Sequence, residues 1–187
     1  MKYPLRDCAT GKLDEEIKTS FSVSEKDGIL TFVFEAENSG GYCPFKNYND
    51  IHSKGDACEL LIGSDPERRV YYEIEVSAQN VLMICKMQYN GETADEILLD
   101  MDFVEKPFVK SDVIWKNNGY VATLKFPIEN ILTGDGAIFF NAYRIETKNG
   151  TRMDDEKLLY ALNPTMRRKF HTPSRYVWLK EYLGGCK

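Results

Sequence analysis

Between Tyr48 and Asp56 the chain gathers an aromatic ring, an amide, two carboxylates, one of its two histidines and a lysine, in the order Tyr48-Asn49-Asp50-Ile51-His52-Ser53-Lys54-Gly55-Asp56. Such a set offers hydrogen-bond donors and acceptors at close spacing, which suits a polyhydroxylated ligand or a cation. The familiar catalytic patterns are missing: there is no Gly-rich phosphate loop, no H-E-x-x-H and no G-x-S-x-G. His52 and His171 are too few for a multi-histidine metal centre, and a lone histidine is more often a surface or hydrogen-bonded group than a catalytic one. Glycoside hydrolysis needs two carboxyl groups about 5 to 9 Å apart. Glu59, Glu73 and Glu75 are candidates that spacing alone does not separate, and Glu73 and Glu75 read as the solvated outer face of a strand. Asp154-Asp155-Glu156 supplies hard oxygen donors, so calcium is possible there, yet the alternating spacing of a dedicated calcium loop is absent and a solvated acidic turn is the preferred reading. Arg144 sits near the end of a strand that is otherwise too apolar to need a charge. Its guanidinium can fork onto vicinal hydroxyls or a carboxylate, or form a structural salt bridge at the sheet edge, and spacing leaves the two even. Trp115, Trp178, Tyr48, Tyr71 and Tyr89 are the rings available to stack on a sugar, with ordinary packing the alternative for each.

The elements that must position these groups are strands. Leu30, Phe32, Phe34 and Ala36 alternate with Thr31, Val33 and Glu35 after an Asp27-Gly28 turn signal. A second strand runs from Ala57 to Ile62, sending Cys58, Leu60 and Ile62 to one side and Ala57, Glu59 and Leu61 to the other. Val70, Tyr72, Ile74 and Val76 then point to the core, with Tyr71, Glu73 and Glu75 pointing away. Further strands are predicted at Val81–Gln88, Val109–Trp115, Tyr120–Phe126, Leu158–Leu162 and Tyr176–Glu181. A helical turn is expected within Ala94–Leu99 and another after Pro127. Ala137–Glu146 opens with apolar residues on both faces, the mark of a strand in the middle of a sheet. Many short strands with regular turn signals predict an all-β, antiparallel β-sandwich of jelly-roll type, spanning residues 1–187 as a single domain.

A net charge of -5 argues against nucleic acid as a partner. No apolar run reaches membrane-spanning length, so no membrane partner is expected. The five scattered cysteines form no C-x-x-C pair and read as free thiols in a reducing compartment. The N-terminal residues lack an apolar signal region, which predicts a cytoplasmic protein, or an extracellular one if a signal peptide has been removed.

Three separated stretches together resemble the family 9 carbohydrate-binding modules. The first is Gly55-Asp56-Ala57-Cys58-Glu59-Leu60-Leu61-Ile62 with Tyr71-Tyr72-Glu73-Ile74-Glu75-Val76; the second is Gly119-Tyr120 through Phe126-Pro127 with Phe140-Asn141-Ala142-Tyr143-Arg144-Ile145. Ala161-Leu162-Asn163-Pro164 with Phe170-His171-Thr172-Pro173 is the third. The resemblance implies a sandwich that binds a saccharide without catalysis, between aromatic rings and polar side chains, and calcium is known in the family. Leu162 stands where an aromatic is common, so one wall of the stacking site is absent or comes from another residue. The expected ligand-binding set is Arg144, His171, Asn163, Trp178, Tyr48, Asn49, Asp50 and Tyr71, with no catalytic residues; Asp56 and Glu59 read first as anchors of loop and strand. The alternatives are a small glycan-active hydrolase built on a carboxylate pair near Glu59, and a sandwich that has lost its sugar site and serves as an interaction domain.

Overall fold

Alternating apolar residues give strands with one greasy face each, and burying those faces stacks the strands into two antiparallel sheets. The computed structural model describes residues 1–51, 55–89, 99–133, 136–147 and 156–183. In chain order the strands are β1 (Tyr3–Pro4), β2 (Arg6–Asp7), β3 (Thr19–Lys26), β4 (Ile29–Glu37), β5 (Ala57–Gly63), β6 (Val70–Ser77) and β7 (Leu82–Tyr89). They continue as β8 (Leu99–Phe103), β9 (Lys110–Lys116), β10 (Gly119–Pro127), β11 (Phe139–Thr147), β12 (Lys157–Ala161) and β13 (Val177–Trp178). The smaller sheet has the order β1-β3-β4-β10-β9, and the larger β2-β12-β11-β5-β6-β7-β8, with β13 paired to β11. The expected antiparallel sandwich is therefore found. Its β3–β4 hairpin turns on Asp27 and Gly28, both at positive φ (53° and 75°), as a two-residue turn between twisted strands requires.

Phenylalanines fill the space between the sheets. Phe21 and Phe32 of the smaller sheet reach Phe140 of the larger with ring centroids 5.7 and 6.0 Å apart, and Leu60, Ile62, Ile74 and Val76 complete the layer. The larger sheet is covered on its other face as well. Ile51 from the 38–56 loop and Phe170 and Tyr176 from the 162–176 loop pack over Leu61, Tyr71, Met83, Phe139 and Tyr143. Every residue of β5 and β11 is consequently buried, which matches the both-face apolar character of Ala137–Glu146 and its central position. The same cover corrects a sequence expectation: Glu73 and Glu75 do point away from the sandwich core, but the loops enclose them and they are buried rather than solvated.

Side chains anchor both loops. Asp56, fully buried, accepts the Tyr42 amide on Oδ2 and the Thr147 amide on Oδ1, each at 2.6 Å. Asn141 donates to the Asn163 carbonyl at 2.8 Å and accepts its amide at 3.0 Å, while Tyr143 donates to the Phe170 carbonyl at 2.9 Å. Two expected elements differ. The last strand stops at Trp178, because the Leu179 carbonyl accepts the Tyr182 and Leu183 amides and the chain turns into the short helix α1 (Lys180–Leu183). After Pro127 the turn is a 3-10 turn at Ile128–Asn130. The helical turn expected within Ala94–Leu99 lies outside the described residues except for Leu99, which begins β8.

Arg144 is also corrected by its surroundings. Its side chain points between the sheets with no exposed surface. Nη1 donates to the Lys18 carbonyl (3.1 Å), Thr19 Oγ1 (2.8 Å) and the Glu37 carbonyl (3.0 Å), while Nε and Nη2 donate to Glu146 Oε2 at 3.2 and 2.7 Å. Of its two readings the salt bridge is present, inside a central strand rather than at an edge, and no face of the guanidinium is open to a ligand. Removing one partner of a buried pair strands the other charge, so Arg144→Met is expected to lower unfolding free energy by about 3–5 kcal/mol in denaturant titration. Adding Glu146→Gln should recover part of that loss; a single substitution costing under about 1 kcal/mol would show that the brace is dispensable.

Candidate functional site

Because strand residues alternate, Glu59 on β5 and Glu73 and Glu75 on β6 all project from the outer face of the larger sheet, and Glu59 lies directly opposite Glu75 in the ladder. One oxygen from each of the three lies within 4.8 Å of the other two. All are essentially without exposed surface. Neither oxygen of Glu59, nor Oε2 of Glu73, has a hydrogen-bond partner, which is unusual for buried carboxyl groups. His171 comes down from the 162–176 loop with Nε2 3.6 Å from Glu73 Oε2, and its Nδ1 is hydrogen-bonded to the Tyr71 hydroxyl at 2.8 Å.

A recess of about 270 Å³ opens onto this cluster. Glu59 and Glu73 are its most buried polar groups, Ile145, Leu159 and Phe170 its apolar walls, and Lys157, Lys169 and His171 its half-exposed polar ones. Phe170 stacks one ring face on Tyr143, centroids 4.1 Å apart. Burial, reinforced by the charges of Glu73 and Glu75, holds the Glu59 carboxyl well above the ordinary carboxylate range. Burial and the neighbouring Glu75 raise Glu73 in the same way. The arrangement can accept hydrogen bonds or positive charge from whatever enters the recess.

The structure brings Tyr71 and His171 together here and distributes the other expected ligand residues elsewhere. Asn163 ties the 162–176 loop together by donating to the Arg175 carbonyl at 2.7 Å. Trp178 packs under the Arg68 guanidinium, 4.5 Å from its ring centroid, with Phe139 on another side. Tyr48 and Asn49 sit toward the other edge of the larger sheet. Both donate to the Val104 carbonyl, at 2.8 and 3.2 Å, and Asn49 Oδ1 accepts the Ile84 amide at 3.0 Å, so they extend the sheet's hydrogen bonding where β8 ends. Asp50 closes a local turn through the amide and side chain of Asn47. His52, Asp154 and Asp155 lie outside the described residues, and so does the side chain of Tyr89. Trp115 is half exposed and lines a wider recess of about 660 Å³ with Glu35, Glu37, Lys116 and Asn118 at the β9–β10 hairpin. Sequence reading assigned no ligand role to Lys157, and reached Phe170 and Lys169 only as members of the 163–171 loop of the third matching stretch; the signal that could have pointed to the cluster was the Glu-x-Glu of β6 set in register against Glu59.

This two-sheet antiparallel sandwich, its larger sheet roofed by loops, is a fold also seen in carbohydrate-binding modules. The fold is that of family 9. The chain is similar to a Bacteroides uniformis protein provisionally designated carbohydrate-binding, with a TM-score of 0.70 and 11% identity, over 94% of this chain and 84% of that one. A family 9 carbohydrate-binding module from Caldicellulosiruptor kristjanssonii, solved in complex with glucose, aligns with a TM-score of 0.59 and 11% identity over 94% of this chain and 82% of that one. No family model matches the sequence, and no curated protein matches it.

The raised carboxyls set a pH dependence. A carboxyl whose folded pKa lies above its unfolded value near 4.5 binds more protons folded than unfolded, so stability is lost as pH rises from there through the folded pKa. In metal-free buffer the wild type should therefore lose Tm between pH 5 and pH 7 relative to Glu59→Gln, whose curve should be flatter. Parallel Tm curves for the two proteins would mean that Glu59 titrates normally.

Proposed function

We propose that the protein binds carbohydrate without catalysis, in the recess over Glu59, Glu73 and His171. The observation that carries the reading is the fully buried Glu59 carboxylate, with two hydrogen-bond-free oxygens facing a recess walled by Phe170, Leu159 and Ile145. Sugar hydroxyls are the donors such acceptors lack, and the C–H faces of a pyranose suit the apolar walls. At about 270 Å³ the recess lies near the low end of ligand pockets, which run from about 300 Å³ upward, and this favours a single ring or chain end over an extended polymer. The shared fold with family 9 modules, one of them solved with glucose, supports the same reading. Stacking falls to Phe170, which keeps one face on Tyr143, so polar contacts from Lys157, Lys169 and His171 carry more of the recognition.

Hydrolysis is the weaker alternative. The Glu59, Glu73 and Glu75 oxygens lie within 4.8 Å of one another, closer than the roughly 5–9 Å that places an acid and a nucleophile or water on opposite sides of a glycosidic bond. Chromogenic glycosides are expected to remain uncleaved.

Titration calorimetry against mono- and oligosaccharides tests the proposal. Wild-type protein should bind at least one sugar, and Glu59→Gln should weaken that binding by about threefold to tenfold, the net worth of one hydrogen bond. Phe170→Ala should also weaken it, whereas Trp115→Ala should leave it unchanged. Loss on Trp115→Ala alone would move the site to the β9–β10 recess, and no binding to any sugar would sink the reading.

A further inference from the structure

We propose that Glu59, Glu73 and Glu75, with His171, form a binding site for a divalent first-row metal ion at the base of the outer-face recess. The inference goes beyond the sugar reading and does not depend on it. It starts from charge. Sugar hydroxyls can satisfy the open lone pairs of Glu59, but they leave three carboxyl groups crowded together out of water, which without a counter-charge must hold protons rather than carry buried charge. A cation removes both problems at once.

The geometry fits an ion. Three oxygens no more than 4.8 Å apart surround a point about 2.8 Å or less from each, close to the roughly 2.0–2.6 Å of metal–oxygen bonds. The Glu59 carboxylate is fully buried, lines the recess, and has no hydrogen bond on either oxygen. The imidazole supplies a nitrogen donor on the same side. In the tautomer whose Nδ1–H donates to the Tyr71 hydroxyl across 2.8 Å, Nε2, 3.6 Å from Glu73 Oε2, carries the lone pair that would bind the ion. A ligating histidine held through its other nitrogen is the usual outer arrangement of a protein metal site. Three carboxylates and one imidazole select for Mn2+, Fe2+ or Zn2+ over an all-oxygen ion. Lys157, which lines the recess, directs its ammonium to Thr147 Oγ1 at 2.7 Å. The recess leaves the ion an entry path and open coordination positions, where vicinal sugar hydroxyls can bind.

Mn2+ is the probe, because it avoids the thiols that would capture Zn2+. Equilibrium dialysis of the full chain with Mn2+ should find one tightly bound ion per molecule. Glu59→Gln and Glu73→Gln should abolish that binding, and His171→Ala should weaken it by about tenfold or more. Both Gln variants keep side-chain volume and remove a buried charge, so in chelator-treated buffer their Tm should equal or exceed that of wild type, while the rise in Tm on adding Mn2+ should vanish. A measurement without substitution reads the same site: stoichiometric Mn2+ should broaden the imidazole proton signals of His171 in the wild-type spectrum. No bound Mn2+, undiminished binding in Glu59→Gln, or sharp His171 signals at stoichiometric Mn2+ would each overturn the site. Sugar calorimetry with and without Mn2+ is a separate readout, so failure of the metal site and failure of the sugar reading are told apart.

Discussion

Burial of the larger sheet on both faces is the constraint on which the rest of this structure depends. A sandwich needs only its inner faces dry, and an antiparallel sheet commonly leaves the outer one wet. Here two loops close over the outer face, and a second apolar layer of Ile51, Leu61, Tyr71, Met83, Phe139, Tyr143 and Phe170 forms beneath them. Alternation along β5 and β6 then carries Glu59, Glu73 and Glu75 into that layer. The loops stay closed because buried side chains hold them: Asp56 fixes the one that leads into β5, and Asn141 and Tyr143 fix the one that follows β12.

The sheet thus carries buried charge on both sides, and the two cases are opposites. Between the sheets, Arg144 has its donors matched by Glu146, Thr19 and the Lys18 and Glu37 carbonyls, and Glu146 further accepts Ser39 and the Gly40 amide at 2.9 Å each. That network is complete, and it ties β11 to the ends of β3 and β4. On the outer face burial and the neighbouring carboxyl groups hold Glu59 and Glu73 toward their protonated forms, and Glu59 has no hydrogen bond at all. A complete network is what a brace looks like, whereas the bare Glu59 oxygens beside a recess are what the proposed site rests on. The distinction is why the proposed site is placed at the glutamates and not at Arg144.

Much of the fold was legible in the chain because period-2 patterns report which strand face is dry. Leu30, Phe32, Phe34 and Ala36 are all buried on β4, and Cys58, Leu60 and Ile62 face the sandwich core as their alternation requires. Asp27-Gly28 marks a turn whose positive φ values few other residue pairs tolerate. The end of β13 was not legible, since Leu179, Lys180 and Glu181 continue a strand-like pattern; the turn that closes on the Leu179 carbonyl decides where pairing stops. The expected ligand residues could not be grouped from the chain alone: His171 and Tyr71 come from different stretches and meet only in the structure, while Tyr48 and Asn49, equally polar, serve the sheet edge and Asp50 a local turn.

By itself, then, the sequence determined the strands, their inner faces, the sandwich class and the polar repertoire available to a ligand, because each of these follows from local periodicity and side-chain type. Only the tertiary structure decided that Glu73 and Glu75 are buried, that Arg144 is a brace, and that Glu59 meets both glutamates beside His171. Those outcomes rest on strand register and on loops that return from about 100 residues away in the chain, as His171 does to Tyr71. An outward-facing glutamate reads the same whether it meets water or the underside of a loop, and contacts at that separation leave no mark in a local pattern.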